Sequence, residues 1–354
     1  MKRSKAPKKI AEGAYGCVYS PAVTPEGHLQ PEYINKIQVA KKATEKEPYL
    51  GEKLRTIPHY RRYYAPSQNV SPLVVSAISQ KEIQKCEVLE RNKDRQIVVS
   101  KIPYVGTRTL GEQIEMIEEN LPNTTLSHLQ SYQAHLEVAV KQMANSKIGI
   151  VHNDIKQNNV MYSDLLQCPI LIDFGLSYCV HDLSTKEEIK NAFEIYSEKY
   201  PSSPVDVVCI GKIVNIPEYE KKKVNWDEIK ETIHNVYHTN PIYDSIREDK
   251  GDSYMQKKET QCLSKMKSQV EQYNGKKYRT KQLKNITNSE FIDALLDQNY
   301  DTWDLYSINV MMYKQVNKLL DEENHRTTKA ISILQKKEKE EYREKLINQI
   351  LEGT

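Results

Sequence analysis

Long hydrophobic runs are missing from this sequence. None approaches the ~20 residues that cross a bilayer, and PLVVSAI (72–78) is among the longest, so no transmembrane segment is expected. Cysteine is sparse and scattered, at 17, 86, 168, 179, 209 and 262 with no CxxC pair. That arrangement speaks against a zinc site and supplies no disulfide framework; a reducing compartment is the simplest expectation. The basic opening MKRSKAPKK has no apolar stretch of the kind a secretory signal carries. An intracellular, soluble protein is expected. Strong net charge is also absent: the balance is only +3, which argues against the whole chain as a polyanion binder, and no nucleic-acid partner is expected.

What the chain does have is size and mixed composition. Its 354 residues are 28% charged and 38% hydrophobic, enough to bury a sizeable core in one large domain or two lobes. There is no internal repeat. KKIAEGAYGCVYSPAV (8–23) reads as strand, turn, strand, because Gly13 and Gly16 punctuate the β-formers Ile10, Cys17, Val18 and Tyr19. EYINKIQVA and RQIVVSKIPYV are further strands. EPYLGEKLRTI has helical spacing at Leu50, Leu54 and Ile57, with Pro48 tolerable only in the first turn. From about residue 109 the pattern turns helical, in TLGEQIEMIEENL and LSHLQSYQAHLEVAVKQMANSK. NVMYS and PILIDFG then read as short buried strands. A β-rich front and a helical body imply an α+β protein. Residues 180 to about 300 are polar, lysine-rich and mostly helical in pattern, with NPIYDSIREDKGDSY as a loop. The closing ISILQKKEKEEYREKLINQIL is a charged amphipathic helix without a sustained heptad, expected to pack on a surface and not in a coiled coil.

One stretch fits neither helix nor strand. IVHNDIKQNNV (150–160) sets Asp154, Lys156 and Asn159 at steps of two and three, a spacing that answers to something other than backbone periodicity. Nineteen residues after Asp154 stands Asp173 in IDFGLS, followed by Phe174, one of only three phenylalanines in the chain. A satisfied polar turn between two strands is the plain reading of either motif alone; their joint occurrence points to chemistry.

Together these residues resemble the eukaryotic-type protein kinases, whose catalytic loop reads H-R-D-L-x-x-x-N ahead of a D-F-G. ATP presents a dense cluster of negative oxygens, so moving its terminal phosphoryl group needs placement and charge neutralisation more than covalent help. The resemblance implies that Asp154 accepts or orients the proton of the attacking hydroxyl and that Lys156 neutralises the γ-phosphate. It implies that Asn159 and Asp173 hold Mg2+, a hard cation that prefers oxygen ligands. AEGAYGCVY resembles the family's Gly-rich loop. Ala11, Glu12, Gly13, Ala14, Tyr15 and Gly16 would then cover the phosphates, with Val18 against the adenine. Lys36 in YINKI, twenty residues after Gly16, takes the place of the lysine in V-A-I-K and would grip the α- and β-phosphates. Its carboxylate partner is Glu47 or Glu52. Glu47 is preferred, although Pro48 would put it at the very start of its helix. The adenine hinge falls near SKIPYVG, at Ile102 to Val105.

The implied architecture is a bilobal protein-kinase-like fold: a basic tail over 1–9, a small β-rich N-lobe over 10–105, and a larger, mainly helical C-lobe over 106–354. A long helical insertion occupies about 183–300. The function implied is a serine/threonine protein kinase using MgATP, since Lys156 is the residue that tyrosine kinases usually lack. Within the superfamily, GAYGCVYSPAV, IPHYRRYY and the long insertion resemble the serine/threonine kinases of nucleocytoplasmic large DNA viruses, which would place the protein in host cytoplasm or virion.

Several departures bear on that reading. Asn153 replaces the arginine of H-R-D, so docking of an activation-loop phosphate is not expected. There is no clean A-P-E. The aspartate that begins the family's buried central helix is Asp206 or Asp304, with Asp304 in WDLYSINVMM preferred; its carboxylate would cap the catalytic-loop backbone. A small-molecule phosphotransferase of the aminoglycoside type is favoured by the missing A-P-E and opposed by HNDIK. A pseudokinase scaffold is opposed by the presence of Lys36, Asp154 and Asp173 together. The basic KKETQCLSKMKSQVEQYNGKKYRTKQLK (257–284) reads either as a solvated helical pair or as a recruiter of an acidic partner or membrane surface.

Overall fold

Period-two alternation over the first hundred residues builds a five-stranded antiparallel sheet, and period 3.6 beyond them builds helices. The computed structural model describes residues 6–352 except 14–15, 25, 41, 73–77, 93, 279–282 and 326–330. Ala14 and Tyr15 of the glycine-containing turn, the start of the basic tail and part of the basic run near 280 therefore lie outside the described residues. The strands are β1 (Lys8–Gly13), β2 (Gly16–Ser20), β3 (Ala22–Val23), β4 (Leu29–Gln30), β5 (Tyr33–Val39), β6 (Val70–Pro72), β7 (Ile97–Pro103) and β8 (Arg108–Thr109). Further along come β9 (Ile150–Val151), β10 (Val160–Ser163), β11 (Cys168–Leu171) and β12 (Tyr178–Cys179). The shorter helices of the front are α1 (Lys42–Arg55), α2 (Gln80–Ile83) and α3 (Glu87–Arg91), followed by α4 (Leu110–Asn120) and α5 (Thr125–Ala144). The remainder is helical: α6 (Lys186–Phe193), α7 (Val205–Val214), α8 (Trp226–Thr239), α9 (Pro241–Lys250), α10 (Asp252–Tyr278), α11 (Asn288–His325) and α12 (Ile331–Glu352). The fold is α+β.

The chain divides into two compact units. The first comprises 1–113 and 158–177, the second 114–157 and 178–354; the first therefore reaches past the expected boundary at 105 and recovers the β10–β11 hairpin from later in the chain.

In the first unit the sheet runs β1-β2-β5-β7-β6. Because side chains alternate, it has two distinct faces. Cys17, Tyr19 and Ile37 face one way and pack with Ile78, Cys86 and Leu89 into a buried cluster. Cys17 and Cys86 form a disulfide, 69 residues apart in sequence. The expectation of a chain without disulfides is thereby corrected: the pairing depends on β2 and the start of α3 meeting in space, which no local spacing announces. Gly16 is tied to the same packing, since a Cβ there would overlap the Ile37 carbonyl oxygen on the neighbouring strand. Helix α1 buries Leu50 and Leu54. It begins at Lys42, so Pro48 sits within it and not in its first turn. The run KATEKE is made largely of good helix formers and carries the helix back past the proline. A second, smaller sheet, β11-β10-β8, pairs Val160 with Leu171 and Met161 with Thr109.

The second unit is built on α11, 38 residues long, against which α5, α10 and α12 pack. Helix α5 buries Leu129, Leu136, Val140 and Met143 along one stripe. Helix α12 buries Tyr342, Leu346, Ile347 and Ile350, the surface-packed helix its pattern predicts. Residues 241–250, expected as a loop, form α9 instead. Asn240 caps it by accepting from the Ile242 N–H at 3.0 Å, Pro241 fills its first position, and Gly251 ends it at φ 84°. Helix α10 carries its lysines on a helix whose Met255, Cys262, Met266 and Val270 are buried. Among the described residues no helix is long and apolar enough to cross a membrane.

Candidate functional site

The sheet face opposite the disulfide cluster carries the first group of candidates. Register places Val18 beside Lys36, Lys36 beside Ser100, and Ser100 beside Val70, so these four residues form one row on one face. From that row the Lys36 ammonium reaches Glu47 Oε1 at 3.3 Å and Asp173 Oδ1 at 2.7 Å. Glu47 comes from the middle of α1 and is only 4% exposed; Glu52, the other candidate, is exposed. Asp173 follows β11 and keeps 45% of its side chain accessible. Burial pulls the Lys36 ammonium down, but Glu47 and Asp173 together pull it further up, and the net shift is upward. Burial likewise pushes the Glu47 carboxyl up against the opposing pull of Lys36, with a smaller upward push from Asp173.

Backbone geometry fixes Asp173 in an unusual place. Its φ is 61°, in the left-handed region that a β-carbon disfavours. Phe174 next to it is buried with its ring edge-on to Tyr64, centroids 6.4 Å apart. Gly175 follows where a Cβ would press on Glu47 Oε1 and Asp173 Oδ1, at 3.2 and 3.4 Å. Asn159 is tied to the same hairpin, its carbonyl accepting the Ile172 N–H at 3.0 Å; it is buried. At the other end of the sheet, Gly13 pairs with Gly16, Glu12 with Cys17 and Ala11 with Val18. The Glu12 carboxylate accepts from Lys9 Nζ at 2.7 Å and from the Val88 N–H at 3.3 Å, which links β1 to α3. Ile102 and Pro103 of the expected hinge end β7, and Tyr104 N–H donates to the Glu32 carbonyl at 2.9 Å.

The second unit holds the other candidates. β9 pairs with β12, Val151 opposite Tyr178, and leads into a loop gathered around a buried carboxylate. Asp304, on α11, accepts the backbone N–H of His152 at 2.6 Å and of Asn153 at 3.0 Å. This is the capping geometry asked of Asp304, not of Asp206. Burial pushes the Asp304 carboxyl up, against the pull of His152 and the two backbone donors. Asp206 is buried elsewhere, accepting from Asn299 Nδ2 at 2.6 Å and Trp303 Nε1 at 3.4 Å. Asn153 has φ 64°, a conformation that asparagine tolerates better than arginine would. The loop then turns Asp154 and Lys156 toward each other, with the ammonium 3.0 and 2.9 Å from the two carboxylate oxygens.

Sequence reading missed a fourth member of this group. The Tyr200 hydroxyl donates to Asp154 Oδ1 at 2.6 Å, and the Tyr200 carbonyl accepts from Asn240 Nδ2 at 3.1 Å. Burial and the bond to Asp154 both push the Tyr200 phenol upward. Nothing in YPSSP marks this tyrosine; only tertiary structure shows its partner. Asp154 Oδ1 thus accepts a phenolic O–H in addition to the Lys156 ammonium. No protein-family model matches the chain, and no curated protein matches it.

Proposed function

We propose that the protein is a serine/threonine protein kinase that transfers the γ-phosphoryl group of MgATP to a protein hydroxyl, on a bilobal kinase-like fold. The observation that carries this reading is the ion pair of Lys36 with both Glu47 and Asp173 at 3.3 and 2.7 Å. Three residues scattered over 137 positions, Lys36 and Asp173 named from motifs and Glu47 preferred over Glu52, supply one fixed cation and one accessible carboxylate. A lysine held between two carboxylates is positioned in advance for phosphate oxygens, so little ordering remains to be done on binding. Asp173 and Asn159, an accessible carboxylate and an amide oxygen on adjoining backbone, form an all-oxygen donor pair suited to Mg2+. Mg2+ bound there would neutralise charge on the phosphates. Gly13 and Gly16 keep the β1–β2 turn bare of side chains at its two ends, as close backbone approach to phosphate requires.

Asp154 then orients the acceptor hydroxyl and takes its proton at a carboxylate oxygen, while the Lys156 ammonium, already paired with that carboxylate, meets the negative charge of the transferred group. Asp304 acts indirectly, by holding the loop backbone that aims Asp154.

The test is transfer of radiolabel from γ-labelled MgATP to generic protein substrates, comparing the native chain with Asp154→Asn. Loss of a positioned general base costs about 10²–10⁴ in rate, so label on serine or threonine should fall at least a hundredfold in the variant while the melting temperature holds. Undiminished labelling by Asp154→Asn, or no labelling of any protein by the native chain, overturns the reading.

A further inference from the structure

We propose that His234, His238 and Glu259 form a binding site for a single divalent transition-metal ion of the zinc class, joining α8 to α10. The proposal does not depend on the kinase reading, and none of these residues belongs to the site described above.

Sequence spacing makes the first half of the site. His234 and His238 are four residues apart on α8, so their side chains stand one above the other on one face. Their rings lie with centroids 4.1 Å apart and planes tilted by 38°. The inward stripe of the same helix, Ile229, Ile233, Val236 and Tyr237, is buried, which fixes the helix's rotation and leaves the two histidines at its partly exposed edge. Packing makes the second half. Glu259 on α10 reaches both rings, its Oε1 3.2 Å from His234 Nδ1 and its Oε2 3.7 Å from His238 Nε2. The ligand atoms of all three residues lie within 4.8 Å of one another.

Those separations fit a common ion. With bonds of about 2.0–2.2 Å to nitrogen and carboxylate oxygen, tetrahedral ligands around Zn2+ stand roughly 3.3 Å from each other. His234 Nδ1 already stands at that spacing from Glu259 Oε1, His238 Nε2 lies within half an ångström of it from the other carboxylate oxygen, and both histidines are exposed enough to bring the three ligand atoms onto one ion by side-chain rotation. Glu259 is the anchored member, with only 15% of its side chain exposed against 54% for His234 and 39% for His238. Solvent is left for the fourth ligand. Two imidazoles with one carboxylate favour Zn2+, Cu2+, Ni2+ or Co2+ over Mg2+ and Ca2+, which prefer all-oxygen shells. Magnesium at the concentrations a phosphoryl-transfer assay needs would not occupy it. Because the ligands come from two helices, the ion would tie α8 to α10, and binding to the folded state alone raises stability by mass action.

The experiment is calorimetric titration of ZnCl2 into the full-length chain after chelator treatment, in buffer containing Mg2+, beside the His234→Ala/His238→Ala double variant and Glu259→Gln. Circular dichroism confirms that each variant is folded, which the exposure of the two histidines and the matched size of glutamine at 259 favour. The free cysteines at 168, 179, 209 and 262 are all buried and are unchanged in every variant, so they set a common background. The native chain should bind one equivalent, at least tenfold more tightly than either variant, and Zn2+ should raise its melting temperature while leaving that of the double variant unmoved. Equal affinity and stoichiometry in the native chain and the double variant would overturn the proposal, as would an absence of Zn2+ binding to the native chain; either result would leave the His234–Glu259 contact an ordinary surface hydrogen bond.

Discussion

Asp304 holds the backbone of His152: its carboxylate accepts that N–H at 2.6 Å across 152 residues of sequence, and takes the next N–H, from Asn153, with its other oxygen. His152 is buried and Asn153 partly so. The two donors lie just past the end of β9, outside regular structure, with Asn153 in the left-handed region. Leaving a buried donor unpaired costs about 1–3 kcal/mol. Asp304→Ala should therefore destabilise the fold by about 3 kcal/mol. Asp304→Asn, which keeps one carbonyl oxygen, should lose roughly half as much. Urea unfolding monitored by circular dichroism checks both numbers, and equal stability of the alanine variant and the native chain would show that the cap is dispensable.

How much of this was legible in advance depends on whether the signal was local. Lys36 and Asp173 stand in short motifs with fixed neighbours, and the structure brings them to 2.7 Å. Glu47 is preferred to Glu52 for its place ahead of Leu50, Leu54 and Ile57, against the helix position that Pro48 suggests, and Glu47 is the one that meets Lys36 because the helix starts earlier, at Lys42. Residues 241–250 had readable helix signals in Asn240, Pro241 and Gly251, but the many polar residues outweighed them. By contrast, Cys17 and Cys86 meet only because β2 and the α3 entry share one face of the sheet, and that register is a property of the assembled sheet. Tyr200 and the His234–His238–Glu259 cluster are likewise tertiary. Chemistry that sits within a motif could be read from the residues; chemistry assembled by packing could not.

The Lys36 cluster predicts a pH signature. Its ammonium has an ordinary value of 10.5, shifted upward in the fold despite burial because Glu47 and Asp173 favour the charged form. A raised pKa means that the pair's stabilisation is fully present below the unfolded value and is lost as pH climbs through the folded one. Lys36→Met strands the buried Glu47 carboxylate, a loss of about 3 kcal/mol near neutrality by the measure of broken buried pairs. The stability gap between native chain and variant should stay constant up to about pH 10 and narrow above the lysine's ordinary value. Melting temperatures of the two proteins, taken in parallel through the alkaline range, test this. A gap that does not narrow would mean the ammonium is not the source of the stabilisation.

Tyr200 makes the last prediction, because on the proposed function its hydroxyl occupies an oxygen that the acceptor would use. Its O–H donates to Asp154 Oδ1 at 2.6 Å, and the upward shift of the phenol keeps that proton in place throughout the working range of pH. If Asp154 receives the acceptor hydroxyl at Oδ1, substrate competes there with this internal donor. Tyr200→Phe retains the ring and its packing but removes the competitor, a hydrogen bond to a charged group worth about 1.5–3 kcal/mol in the resting protein. Part of that energy is recovered in the complex, where Lys156 remains on the same carboxylate. The variant should therefore show a KM for the protein acceptor lowered by about tenfold, the equivalent of 1.4 kcal/mol, with the KM for ATP unchanged and the melting temperature slightly reduced. Steady-state kinetics with acceptor and nucleotide varied separately distinguish this from a general loss of structure, which would raise both constants. An acceptor KM that is unchanged or higher in Tyr200→Phe would mean that the tyrosine supports the acceptor site instead of competing for it.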